Sequence, residues 1–223
     1  MINEHRSTRS TASLYGQEHW EKAAKKFSTT YTESDPAVRR EAEKKISFIE
    51  RHLMKKGSLL DVGCSFGFLV VALRDRGWDA YGIDTSEYAL GKAPTRVQPY
   101  VSRMSVEKLE FEDNRFDIVT AFDILEHLYI EQIFAAAKEI SRVAGRFVLL
   151  RLPIQSPYTE IWLTDISYRS FDKGHISIYP WQFWVRRFEE VGKFERWFIH
   201  IYKGPGSDAD ECWIVFRRRE GKK

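Results

Sequence analysis

The chain has 223 residues, 43% hydrophobic and 30% charged, with a formal net charge of +3. This suits one domain with decoration, long enough to bury a real core, and argues against a disordered or collagenous chain. No apolar run reaches the ~18 residues of a membrane span, and residues 1–13 lack the apolar stretch of a signal peptide.

Two cysteines, Cys64 and Cys212, allow neither a disulfide framework nor a four-cysteine zinc site within one chain, so a cytoplasmic location is expected. The polar start gives way to a predicted helix over Glu18–Phe27. Ser34-Asp35-Pro36 then offers a capping side chain and a first-turn proline for a helix running to about Met54, ended by Gly57. Strand and helix alternate after it: strand Ser58–Val62, helix Phe68–Arg76, strand Trp78–Ile83, helix Ser86–Ala93, a weak strand Gln98–Val101, strand Phe116–Phe122, helix Ile130–Val143 and strand Arg146–Leu152, ended by Pro153. Residues 154–178 are irregular and aromatic. A helix over Pro180–Val191 follows, then strands Phe194–Tyr202 and Cys212–Arg217 about a Gly204-Pro205-Gly206 turn, which read as an antiparallel hairpin closing the sheet edge. The alternation predicts an α/β fold with a mostly parallel sheet and helices on both faces. The basic pairs Arg39–Arg40, Lys44–Lys45 and Arg186–Arg187 are scattered and interleaved with glutamate. They read as solvated faces, and no nucleic-acid partner is expected.

The segment Leu59 to Gly67 carries the chemistry. An apolar strand enters a turn with small residues at 63, 65 and 67, and a helix begins at once. Gly63 and Gly67 permit close backbone approach and positive φ, and the helix start offers unpaired N–H groups to an anion. Asp84, at the end of the next strand, is placed to accept hydrogen bonds from ribose hydroxyls. A dinucleotide fingerprint requires glycine at 65 and 68, where Ser65 and Phe68 stand. A hydrolase elbow fits Gly63-Cys64-Ser65-Phe66-Gly67 literally, with Asp123, His127, Asp165 and His175 as partners. That reading leaves Asp84 unexplained, and the motif follows the first sheet strand.

Asp61-Val62-Gly63-Cys64-Ser65-Phe66-Gly67, Asp84-Thr85-Ser86, Phe111-Glu112-Asp113-Asn114-Arg115-Phe116-Asp117 and Leu125-Glu126-His127 stand in the order and spacing of the class I S-adenosylmethionine-dependent methyltransferases. The chain resembles that family, in its small-molecule UbiG-like branch, from about Trp20 to Phe216. The resemblance implies a Rossmann-like, seven-stranded, mostly parallel sheet with an antiparallel last strand and an N-terminal helical lid. It divides the chain into a tail and lid over 1–35 and a catalytic domain over 36–223, with an aromatic insertion at about 154–178. It implies S-adenosylmethionine as cofactor, held by Asp61, Gly63, Cys64, Ser65, Gly67, Asp84, Thr85, Ser105, Val106 and Phe122. Ser65 replaces the family's middle glycine, and Ser105 stands where an acid often takes the adenine amino group. These two departures keep a non-catalytic cofactor-binding subunit open as an alternative.

For the acceptor the sequence offers His127, just past the fourth strand, and His175, in a stretch resembling D-x-G-H-x-x-x-[YF] of small-molecule members, as catalytic candidates. Tyr15, Trp20, Tyr31, Trp162 and Tyr168 are candidate substrate contacts. No carboxylate pair suggests a metal, and none is expected. The implied partner is a small-molecule methyl acceptor, a sugar or polysaccharide or secondary-metabolite precursor methylated on O or N, and the implied assembly is a monomer or homodimer.

Overall fold

The computed structural model describes residues 15–27, 30–155, 175–202 and 209–220. In chain order these form α1 (Gln17–Phe27), α2 (Pro36–His52), β1 (Ser58–Val62), α3 (Phe68–Asp75), β2 (Asp79–Asp84), α4 (Glu87–Gly91), β3 (Val101–Arg103), β4 (Phe116–Phe122), α5 (Ile130–Val143), β5 (Ala144–Gln155), α6 (Trp181–Glu190), β6 (Phe194–Tyr202) and β7 (Ala209–Arg218). Asp35 caps α2 by accepting from the Ala37 N–H, and Pro36 occupies the first turn, where its missing donor costs nothing. No helix among the described residues is long and apolar enough to cross a membrane.

The strands form one seven-stranded sheet in the order β3-β2-β1-β4-β5-β7-β6. Pairing is parallel from β3 to β5, and β7 runs antiparallel to both β5 and β6. Strand alternation sorts the side chains to two faces. Leu59, Ile118, Leu149, Trp213 and Val215 pack with Ile46 and Ile49 of α2 and Leu69 and Leu73 of α3. Leu60, Val119, Val148, Leu150, Ile214 and Phe216 pack with Ile133 and Ile140 of α5 and Trp184 and Phe188 of α6. Trp181, Tyr179 and Phe183 lean on that second layer as well.

Three expectations change. The weak strand at Gln98–Val101 is a 3-10 turn over Gln98–Tyr100, and the strand starts at Val101, opposite Gly82. Pro99, with its fixed φ and no donor, delays the ladder by that much. Pro153 does not end β5, which continues to Gln155 with Pro153 opposite Glu211 of β7. β4 stops at Phe122, opposite Arg151, so the side that Pro153 would face with an N–H has no strand to receive it. Finally, α5 enters β5 with no connecting loop, because Ala144 both caps the helix and opens the strand. The Gly204-Pro205-Gly206 turn lies outside the described residues.

Asp117 ties β4 to the start of β1. Its carboxylate accepts from the Ser58 N–H at 2.9 Å and from the Ser58 hydroxyl at 3.0 Å, and the same hydroxyl accepts from the Asp117 N–H at 2.9 Å. Asp117→Ala is expected to lower unfolding free energy by about 1.5–3 kcal/mol, the range for hydrogen bonds to a charged group, in urea melts that remain cooperative.

Candidate functional site

A parallel sheet places the C-terminal ends of β1, β2 and β4 side by side, and a cavity of about 250 Å³ opens there. Its floor is the turn after β1. Gly63 and Gly67 both have positive φ, 76° and 71°, and a Cβ at Gly63 would press on Ile124 at 3.0 Å. Ser65 takes φ 52° without being glycine. Such a conformation costs an L-residue about 1–2 kcal/mol, which is the freedom a glycine in this position would supply.

Asp84 stitches the turn to β2. One carboxylate oxygen accepts from the Ser65 N–H and the other from the Ser86 N–H, each at 2.8 Å. Burial raises its pKa above the ordinary value, and the backbone N–H groups oppose that rise. Gly63, Ser65, Asp84, Thr85, Ser105 and Val106 all line the cavity.

The other proposed donor residues sit differently, and strand alternation explains why. Asp61 and Phe122 point to the α2–α3 face, below the cavity: Phe122 packs there among the core, and Asp61 accepts from the Thr120 hydroxyl at 2.8 Å. Cys64 is buried in the same layer, against Gly82, where a Cβ would stand 2.7 Å from its sulfur. Gly67 opens α3 and approaches Val101.

Sequence reading passed over several residues that line the cavity: His19, Met104, Glu107, Ile124 and Gln132; Asp123, which it named, lines the cavity too. Glu107 is the most telling. Its carboxylate accepts from Ser105 Oγ at 3.2 Å and from Gln132 Nε2 at 2.9 Å, so an acid reaches this rim two residues after the expected position. Attention to Val106-Glu107 as a pair would have found it.

The N-terminal segment covers the cavity with Tyr15, His19 and Trp20. The Tyr15 carbonyl accepts from Ser86 Oγ at 2.6 Å and from Trp20 Nε1 at 3.2 Å. Trp20 meets Phe66 edge-on, and Tyr31 stacks on Phe66, outside the cavity lining. Trp162 and Tyr168 lie outside the described residues.

His127 and His175 come together. The Ile176 and Ser177 N–H groups both donate to the Glu126 carbonyl at 2.9 Å, and Ser177 Oγ donates to the Leu128 carbonyl at 2.6 Å. These bonds hold the two segments so that the imidazole centroids are 4.8 Å apart. The fully buried Glu126 carboxylate lies 4.0 Å from His127 Nε2 and 3.9 Å from His175 Nε2. His127 lines the cavity, and the Tyr15 ring meets it edge-on at 5.4 Å. Two imidazoles and a carboxylate within 4.8 Å of one another can share a proton or take a divalent cation. No local pattern signals a metal set, because His175 is far from Glu126 in the chain.

A methyltransferase-domain family model matches residues 16–193, and the chain belongs to that family. That family assignment gives no support to a serine hydrolase built on Ser65. The ubiquinone biosynthesis O-methyltransferase of Methylococcus capsulatus is 36% identical over 91 residues, 38% of each chain. The match thus spans well under half of this curated relative. Magnesium protoporphyrin IX methyltransferase from Synechocystis, solved with bound S-adenosylmethionine, superposes with a TM-score of 0.68 at 12% identity, over 96% of this chain and 99% of that one. A methyltransferase from Methanosarcina mazei gives 0.63 at 17% identity, over 77% and 96%. At these identities the structures show the shared Rossmann-like fold.

Asp84→Ala is expected to weaken S-adenosylmethionine by about 1.5–3 kcal/mol in titration calorimetry; unchanged affinity would put the ribose elsewhere. Burial raises the Asp61 carboxyl to about 6 from an ordinary 3.8, while Lys45 and the Thr120 hydroxyl pull it down. The folded protein therefore holds this proton more tightly than the unfolded chain, and the stability it confers is lost as pH rises from about 4 to about 6. Asp61→Asn keeps an oxygen for Thr120 and is expected to abolish that decline, so that urea melts of the ligand-free variant gain on the wild type between those pH values.

Proposed function

We propose that the chain transfers a methyl group from S-adenosylmethionine to an oxygen of a small molecule, with a phenolic hydroxyl as the favoured acceptor. One observation carries the choice of oxygen: His127, backed by Glu126 and His175, stands in the wall of the same cavity as Gly63 and Asp84. Methyl transfer displaces the donor's sulfur in line, and an oxygen nucleophile must lose its proton for the reaction to be fast. An amine need only shed a proton to water, so two imidazoles about a buried glutamate would be superfluous for it.

The donor fits the rest of the cavity. Asp84 has carboxylate lone pairs for the ribose hydroxyls, and Val106 gives an apolar wall to the adenine, with Glu107 at the rim to accept from its amino group. The first N–H groups of α3, just past the turn after β1, receive the carboxylate of the amino-acid end. Thr85 completes the adenosine wall, and Tyr15 and Trp20 close the cavity over the acceptor.

His127 then removes the acceptor proton, and Glu126 stabilises the imidazolium that results. A divalent cation held by Glu126, His127 and His175 would perform the same task by lowering the hydroxyl's pKa, and it would prefer an acceptor with two neighbouring oxygens. Similarity to a ubiquinone biosynthesis O-methyltransferase supports a phenol over the sugar precursor that the sequence alone favoured.

Turnover of the isolated chain with S-adenosylmethionine against a catechol, a monophenol, a sugar and an amine tests this reading. Methylation of a phenol is expected, with His127→Ala lowering kcat by about 10²–10⁴ and the bound-donor affinity unchanged. Loss of activity in EDTA, restored by Mg²⁺ or Mn²⁺, would select the cation over the bare base. Methylation of the amine alone, insensitive to His127→Ala, would overturn the oxygen assignment. No turnover with any acceptor, despite donor binding, would favour a cofactor-binding partner subunit.

A further inference from the structure

Below the cavity, on the α2–α3 side of the sheet, charged side chains from four places in the chain converge: Glu41 and Lys45 of α2, Asp61 of β1, Asp123 just past β4 and Arg151 of β5. Arg151 is the hub. It is 7% exposed, and its guanidinium makes a forked pair with Asp123, including Nε to Oδ1 at 3.2 Å, and a second bond to the Glu41 carboxylate. Its guanidinium carbon lies 5.6 Å from the Phe122 ring centroid and 5.7 Å from that of Trp213. Lys45 stands 3.9 Å from Glu41 and 4.7 Å from the Phe122 ring.

Stability alone does not call for this arrangement, because a buried ion pair is often no better than well-packed apolar residues of the same volume. Its position offers a better reason. Asp123 lines the cavity, holds φ 55° and donates its N–H to the Arg151 carbonyl at 2.8 Å. A left-handed aspartate at a cavity wall persists only where its surroundings fix it. Here one residue fixes it twice, through main chain and side chain, and that residue is itself anchored on a helix outside the sheet.

We propose that Arg151, anchored by Glu41, is a positioning residue for the methyl donor: it sets the Asp123 backbone and carboxylate in the cavity wall beside the turn after β1, two residues past the Val62–Ala121 pair, next to the donor's amino-acid end as placed above, without touching the donor itself. The inference rests on S-adenosylmethionine being the donor. It extends the site to α2, which contributes nothing to the cavity wall. It also matches charge. Glu41, Asp61 and Asp123 carry one more negative charge than Lys45 and Arg151 carry positive, and S-adenosylmethionine brings a net positive charge from its ammonium and sulfonium against its carboxylate.

Calorimetric titration of wild type, Arg151→Met, Arg151→Lys and Glu41→Gln with S-adenosylmethionine, S-adenosylhomocysteine and 5′-methylthioadenosine tests the proposal. The last ligand keeps adenosine and sulfur and lacks the amino-acid end. Arg151→Met is expected to weaken the first two ligands by about tenfold or more, as for a lost forked ion pair, and 5′-methylthioadenosine by less than about twofold. Arg151→Lys keeps the charge without the fork and is expected to recover part of that loss. Glu41→Gln, at the solvent end, is expected to move the same ratio in the same direction by a smaller factor. Equal weakening of all three ligands would reduce Arg151 to a structural strut, and unchanged affinity would overturn the proposal. If Arg151→Met fails to fold, the ratio in Glu41→Gln decides alone: a ratio equal to wild type rejects the proposal. A wild type that binds neither S-adenosyl ligand overturns the donor assignment instead.

Discussion

The site depends on how one turn is pinned to the neighbouring strand. The Ile83 carbonyl at the end of β2 accepts from both the Gly63 and Cys64 N–H groups, at 2.8 and 2.9 Å, and the adjacent Asp84 carboxylate takes the Ser65 N–H. Three consecutive amides of the turn are therefore committed to two consecutive residues of β2. The turn cannot shift along the sheet without breaking all three bonds, and the start of α3 is fixed in space with it. Binding geometry here comes from parallel β1–β2 pairing carried past the strand ends.

That constraint also separates what touches a ligand from what supports the residues that do. Pleat alternation sends Val62 and Ile83 towards the cavity, and sends Asp61 and Phe122 to the opposite layer. Lys45, Asp61 and Arg151 thus form a charged underside to a cavity whose walls are Gly63, Asp84, Asp123 and His127. The acid that opens the glycine-rich motif is a second-layer residue by register alone. Its raised proton affinity belongs to that burial.

The strands were legible because their signals are local. Ser58–Val62 and Phe116–Phe122 are apolar runs with abrupt ends, and both were bounded correctly. Asp84 and the turn glycines were readable because their chemistry is written in one short stretch. The acceptor side was harder. His127 and His175 were recognisable as reactive residues, but their meeting depends on Ile176 and Ser177 bonding back to Glu126, a tertiary event that no periodicity announces. Glu107 escaped because the expected acid belonged two positions earlier. Arg151 escaped because in sequence it is one more cation on a strand, and only the sheet order puts it under Asp123. Pro153 misled for a related reason: proline stops a strand only where a neighbour needs its N–H, and that neighbour had already ended.

The passage from α5 to β5 has no connecting loop, and the β4–β5 register takes up one extra residue of β5 between Ala144, opposite Phe116, and Phe147, opposite Ile118. Gln132 at the cavity wall and Arg151 beneath it belong to one unbroken helix–strand unit, with Ala144 as its only joint. A single-residue insertion just after Phe147, where the pairing with β4 is regular, would not be absorbed as it would in a loop. It would advance β5 by one pleat, turning Leu149 and Arg151 to the α5 side and Val148 and Leu150 to the α2 side. Length variation among relatives is therefore expected to be rare in this stretch of β5.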